Sequence, residues 1–369
     1  MITWRNGEVV SLGTRWAGAQ ELTAETADGT VRALAYPAIV GDVAVGDRVL
    51  LNVTALARGL GTGGYALVVA RPDALPADPA PGPGHLVKGR YTPQQAMVLG
   101  VDEQESPHHA ALRDADDLAG LPVVVADLHS AVPAVVAGAR WSALQGSRPL
   151  PRIAYVMTDG GALPAWFSRT VATLRETGWL EACVTVGQAF GGDLEAVTVH
   201  TGLLAARLVV GADLVVVAQG PGNLGTGTRW GFSGVAVGEA LNAAAVLGGR
   251  PIAALRVSGA DARERHRGVS HHSRTAVGRV ALAPADVVVP VGAAPGDRAA
   301  LRALVRDQAL ALCRPAGRHT LVEVPVGDEL EEALADTPVR LSTMGRGLDA
   351  DPEAFVAAAA AGVHAERSR

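Results

Sequence analysis

From residue 122 onward the chain repeats one pattern: a short run of aliphatic residues, then a longer stretch with helical spacing. The runs are Pro122–Leu128, Ile153–Met157, Ala182–Val186, Asp213–Ala218, Pro251–Val257 and Asp286–Val291. Between them fall the expected helices Ser130–Ala137, Pro164–Thr177, Asp193–Val210, Ser233–Leu247 and Asp297–Cys313. A strand with one wet face alternates apolar and polar residues. These runs do not, so both of their faces are buried, which is the mark of a parallel sheet covered by crossover helices. The expected fold is therefore α/β, with a mostly parallel, Rossmann-like sheet flanked by helices. Arg318–Val324 alternates enough to be an edge strand. Asp351-Pro352-Glu353 opens a last, alanine-rich helix with an N-cap, a proline at the first position and an acidic first turn.

The start of the chain follows a different rule. Gly7–Leu12, Thr30–Tyr36, Arg48–Asn52 and Ala66–Ala70 are short and partly alternating, with turn residues such as Asp28-Gly29, Gly46-Asp47 and Gly61-Thr62-Gly63-Gly64 between them. This predicts a small antiparallel barrel or sandwich over residues 1–71. Val40–Leu51 reads as a hairpin with a Gly-Asp turn. Residues 72–84 hold five prolines, Pro72, Pro76, Pro79, Pro81 and Pro83, which lock φ and remove backbone donors. They form a stiff linker, and the α/β domain is expected over residues 85–369.

Composition narrows the function classes. A net charge of −5 and an aromatic share of 4% argue against a nucleic-acid binder. Cys183 and Cys313 form no CxxC pattern, so neither a zinc knuckle nor a thiol redox pair is expected. No signal peptide and no membrane-length apolar run is present, so the cytoplasm is the expected location. A homodimer is the expectation from the general frequency of oligomers.

In an open α/β sheet, ligands bind outside the carboxyl ends of the strands. Five of the runs end in polar or glycine-rich segments. These are Asp127-Leu128-His129-Ser130, Thr158-Asp159-Gly160-Gly161, Gly187-Gln188 through Gly192-Asp193, Gln219-Gly220 through Thr228, and Arg256 through Asp261. The Gln219–Thr228 loop carries Gly220, Gly222, Gly225, Gly227, Thr226 and Thr228, a composition that lets backbone amides and hydroxyls cradle an anion. It lacks the Gly-Lys-Ser/Thr of a P-loop. The bland alternative is a long flexible connection. Asp193 suits an N-cap as well as a metal or base role.

Asp261–His272 is unusually polar for such a fold. Arg263, Arg265 and Arg267 suit phosphate or carboxylate recognition, and His266, His271 and His272 suit proton transfer. Their spacing is not a standard metal set, so a metal is left open, as is any cofactor. Ser106-Pro107-His108-His109 and Arg346 are further polar candidates, each of which also reads as surface decoration or turn chemistry.

Gly187–Glu195, Gln219–Thr228, Glu264–Ser273 and Thr343–Gly347, in that order, resemble the bacterial family catalogued as domain of unknown function 3866. The resemblance spans nearly the whole chain and implies a bacterial protein. It brings no activity. From the residues themselves, the expected function is an enzyme that hydrolyses or transfers a group on a small anionic or phosphorylated metabolite. In it His266, His271 or His272 acts as acid or base, with Asp127, Asp159 or Asp193 orienting an imidazole or a metal. His129, Gln188, Gly192 and the glycine loop would line the ligand. The alternative is a non-catalytic nucleotide- or metabolite-binding regulatory protein.

Overall fold

The computed structural model describes residues 1–61, 63–314 and 317–369; Thr62, within the expected glycine turn, lies outside them. The chain forms two compact units, Met1–Val98 with Trp166–Ala172, and Leu99–Ala165 with Thr173–Arg369.

In the first unit, β1 (Trp4–Trp16), β2 (Ala19–Thr26), β3 (Gly29–Ala35), β4 (Arg48–Asn52) and β5 (Ala66–Ala70) close into a barrel in the order β1-β2-β3-β5-β4. Strand β1 serves two neighbours, pairing with β4 through Trp4–Glu8 and with β2 through Gly7–Trp16. Register breaks between Val9 and Ser11 and between Leu12 and Arg15 give it the extra bend that closure needs. Val9, Leu22, Ala24, Ala33, Val49, Leu51 and Val68 point inward and fill the core. The hairpin expected at Val40–Leu51 does not form. Gly46, at φ +92°, turns the chain into β4, whose partners are β1 and β5. Pro72–Gly84 holds no helix or strand, and it is followed by a two-stranded ribbon of β6 (Leu86–Lys88) and β7 (Ala96–Val98).

The second unit is built on an eight-stranded sheet. Its strands are β8 (Pro122–Ala126), β9 (Ile153–Thr158), β10 (Ala182–Thr185), β11 (Leu194–Glu195), β12 (Leu214–Gln219), β13 (Arg250–Ala254), β16 (Asp286–Val291) and β17 (Thr320–Pro325). A ribbon of β14 (Val257–Ser258) and β15 (Gly268–Val269) precedes β16, and one of β18 (Ser342–Thr343) and β19 (Arg346–Gly347) follows β17. The sheet order is β11-β10-β9-β12-β8-β13-β16-β17, and every adjacent pair is parallel. Val123, Val125, Val156, Val215, Val217 and Val287 share a core with Leu203, Leu241 and Val305 of the helices Val199–Leu208, Ala236–Val246 and Asp297–Cys313. The alternate residues Val124, Tyr155, Val216 and Val288 are equally buried, on the face covered by Val132–Gln145 and Pro352–Arg367. This two-sided burial is why the runs lack polar alternation.

Those last two helices pack closely. A Cβ on Gly138 would collide with the carbonyl of Ala359, and one on Gly362 with the carbonyl of Val135. Asp351 begins the final helix but makes no side-chain cap bond. Its carboxylate instead accepts from Ser258 Oγ at 2.5 Å and Gly259 N at 2.9 Å, and so ties down the β14 end. The expected helix from Asp193 starts only at Val199, with Thr198 accepting from Thr201 N. Leu194–Glu195 extends the sheet instead, because Asp193 holds the turn against β10 by accepting from Cys183 N at 2.7 Å.

The sheet order places the site. From β8 the chain leaves toward β9, and from β13 it leaves toward β16, in the opposite direction. The connections therefore part between β8 and β13 and open a crevice at their carboxyl ends. No helix among the described residues is long and apolar enough to cross a membrane.

Candidate functional site

Asp127 directly follows β8 at this crevice and is almost fully buried. Four elements converge on it. Arg256, just past β13, places Nη1 3.3 Å from Asp127 Oδ2. His272, on the short helix His271–Thr275, places Nδ1 3.1 Å from the same oxygen. Asn223, in the glycine loop after β12, donates to Oδ1 at 3.3 Å. Gln219, the last residue of β12, donates from Nε2 to the Asp127 carbonyl at 2.8 Å. The helix that follows the glycine loop approaches so closely that a Cβ on Gly234 would overlap Asp127 Oδ1.

The local folding explains how the histidines gather. Pairing of β14 with β15 turns the polar segment back on itself, and Gly268, at φ +68°, makes the return beneath Gln308, whose Oε1 accepts from Val269 N at 2.6 Å. Ser270 then caps the next helix by accepting from His272 N at 3.2 Å, and it lies 2.7 Å from His266 Nδ1. His266, His271 and His272 thus form a triangle with ring centroids 4.5–5.1 Å apart. Phe232 stacks flat on His272 at 3.9 Å and meets His271 edge-on at 5.9 Å. Burial, reinforced by Arg256 and Arg263, pushes His266 down to about 3. Burial, with the neighbouring His272 and Arg265, pushes His271 down to about 4. Both imidazoles are neutral at physiological pH and present lone pairs rather than charge.

His272 Nδ1 lies 3.1 Å from both Asp127 Oδ2, an acceptor, and Arg256 Nη1, a donor. With a proton on Nδ1 the ring donates to Asp127 and leaves a lone pair on Nε2; with a bare Nδ1 it accepts from Arg256. His129 sits beside the crevice. Its Nδ1 is 3.0 Å from the Tyr155 hydroxyl, which also reaches the carbonyls of Ala218 and Gln219. Burial lowers His129 to about 4.

Other expected residues serve differently. Asp159 Oδ2 accepts from Gln188 N at 2.8 Å and braces the turn at Gly187, while Gly160, beside it, packs on the Gln219 amide. Both oxygens of Asp193 are engaged, by Arg175 and by Cys183 N. Gly192 donates to Thr185 Oγ1 within the same turn. In the glycine loop, Gly222 and Gly227 adopt positive φ. Thr226 and Thr228 bond each other and Gly231, so their hydroxyls rigidify the loop. Gly220 packs against the Ala162 carbonyl and Gly225 bridges to Phe232. Arg263 is bound through two hydrogen bonds to Asp261, which holds that carboxyl well below its usual range, and Arg265 and Arg267 are exposed.

A cleft lined by Asp127, Ser130, Arg256, Ser258, Thr343 and Arg346 opens at the same edge. Arg346 donates to Asp351 Oδ2 at 3.0 Å, and Ser130 donates to Thr343 at 3.1 Å. Arg256 could have been marked by its place just after an apolar run and Asn223 by its place in the glycine loop; Gly234 carries no signal in the sequence. The model of the family described as "Protein of unknown function (DUF3866)" matches residues 32–362. No curated protein matches the chain.

Proposed function

The chain belongs to this family of unknown function, and from that premise we propose, on the site alone, an enzyme that hydrolyses or transfers a group on a small anionic metabolite at the carboxyl edge of the sheet. The observation that supports it is the buried set Asp127, Arg256 and His272, with side chains 3%, 9% and 9% exposed, at the crevice where the connections part. Ion pairs and imidazoles are seldom buried together without being needed, since each costs desolvation.

The roles follow from the bonds. Arg256 and Arg346 each face a carboxylate, but a guanidinium carries five N–H donors, and those left over hold the anionic part of the substrate. His272, polarised by Asp127, offers Nε2 to a nucleophile. That nucleophile is an oxygen, from water or an acceptor hydroxyl, because neither Cys183 nor Cys313 lines the cleft, and burial pushes both thiols up.

The test is turnover of a panel of phosphate monoesters, phosphoanhydrides and carboxylic esters by the full chain. We expect Asp127→Asn to lower kcat by about 10²–10⁴-fold and Arg256→Gln to raise KM. Turnover indifferent to both changes overturns this assignment. Thermal stabilisation by members of the panel with no turnover of any points instead to a non-catalytic metabolite-binding protein.

A further inference from the structure

We propose that His266, His271 and His272 bind one divalent transition-metal ion of the zinc class. One nitrogen from each ring lies within 4.8 Å of the other two. The rings are inclined to one another by 52°, 80° and 71°, so they do not form a stack, whose nitrogens would point past one another. Two of the rings are held from behind. His272 Nδ1 lies 3.1 Å from Asp127 Oδ2, and His266 Nδ1 lies 2.7 Å from Ser270 Oγ. With Nδ1 engaged, each presents Nε2 to the ion, His272 in the carboxylate–histidine–metal pattern by which proteins orient a ligand and raise its basicity.

The third ring supplies the independent observation. His271 Nε2 is buried and has no hydrogen-bond partner. A buried polar atom left unpaired costs about 1–3 kcal/mol, and a cation shared with the other two rings satisfies it. Phe232, flat on His272 and edge-on to His271, walls the cluster on one side.

The donor set selects the ion. Three imidazoles with no thiolate among them suit zinc and its neighbours in the first transition row rather than magnesium or calcium, which prefer oxygen. Three nitrogens also leave a fourth position for water or substrate, as in catalytic rather than structural zinc sites. Asp127 and Arg256 cancel in charge, so the ion's own charge stays available to an anion at that position. The ion takes the His272 Nε2 lone pair, so with it bound His272 is a ligand and not the base of the preceding reading; the inference rests on that reading for its role in turnover, but not for binding.

The experiment uses the full chain, stripped with chelator and titrated with zinc alone against a chromophoric competitor, then with cobalt(II) for its visible spectrum. We expect one ion per chain and cobalt bands of a four-coordinate site with nitrogen ligands. His271→Gln and His266→Gln should weaken zinc by 100-fold or more. Asp127→Asn should weaken it by about 10–100-fold while keeping the stoichiometry. His200→Gln, on an exposed side chain, should leave binding unchanged. Binding that His271→Gln leaves intact, or that His200→Gln removes equally, overturns the site. Should the cluster variants fail to fold by circular dichroism, the unmutated chain decides, because absence of four-coordinate cobalt bands overturns it. Zinc bound in the absence of any turnover sustains the metal site and removes the enzymatic reading; turnover by metal-free protein sustains the enzymatic reading and removes the ion's part in it.

Discussion

At the scale of single residues, the most constrained position is one that has no side chain. Gly234 has no room for a Cβ, because Asp127 Oδ1 occupies the space. Gly234→Ala must therefore move either the carboxylate or the helix behind it. Such overpacking costs about 1–3 kcal/mol, and a shift of about 1 Å in a positioned group costs on the order of 100-fold in rate. Denaturant titration and kcat/KM on the substrate that Asp127→Asn affects should both fall; a variant with unchanged values of both would show that Gly234 does not hold Asp127 in place. Some of this site was legible beforehand. Asp127 and Gln219 stand where apolar runs stop, and the three histidines stand out by density. Arg256 was not legible as a partner of Asp127, because the two are 129 residues apart and meet only once β8 and β13 pair. Asp193 misled for the opposite reason: a good N-cap residue in a good N-cap context was captured by a backbone amide of the neighbouring strand.

At the scale of elements, the six apolar runs marked strands of the sheet to within about three residues, since burial on both faces leaves an uninterrupted apolar run and little else does; Leu194–Glu195, expected within a helix, was not legible as a strand. Helix ends were less so. The expected end at Ala137 falls just before Gly138, a residue that commonly stops helices. The helix nevertheless runs on to Gln145. Gly138 serves as a packing contact rather than a cap, and it is matched by Gly362 on the partner helix. Replacing either glycine with alanine keeps or improves helix propensity but drives a methyl into a carbonyl. The expected outcome is a loss of about 1–3 kcal/mol in denaturant unfolding, with the helical signal of the native state unchanged. A gain in stability would mean that the helices can part at no cost.

At the scale of the whole molecule, the buried titratable groups set how the fold responds to acid. His129 and His319 are kept neutral by burial, His129 down to about 4, while an unfolded chain protonates histidine near 6.5. The unfolded state therefore binds more protons as pH drops below about 6.5, and stability falls with it. Asp261 and Asp286 are lowered by their Arg and His partners. Their contribution is intact above the unfolded carboxylate value and is lost as pH falls through the folded one. The two effects share a sign, so denaturant midpoints should decline as pH falls from about 7 to about 4, with the carboxylates adding to the loss below the unfolded carboxylate value. His129→Gln should flatten the upper part of that decline by on the order of 3 kcal/mol; an unaltered slope would mean that His129 is protonated in the folded state. The helix Pro352–Arg367 carries a different consequence. It is buried along nearly its whole length, with Val356 through Val363 enclosed. On the ribosome, every residue that precedes it emerges first. Until it follows, the nascent sheet bears a greasy slot the width of a helix, and that interval is when chaperones and proteases have their opening.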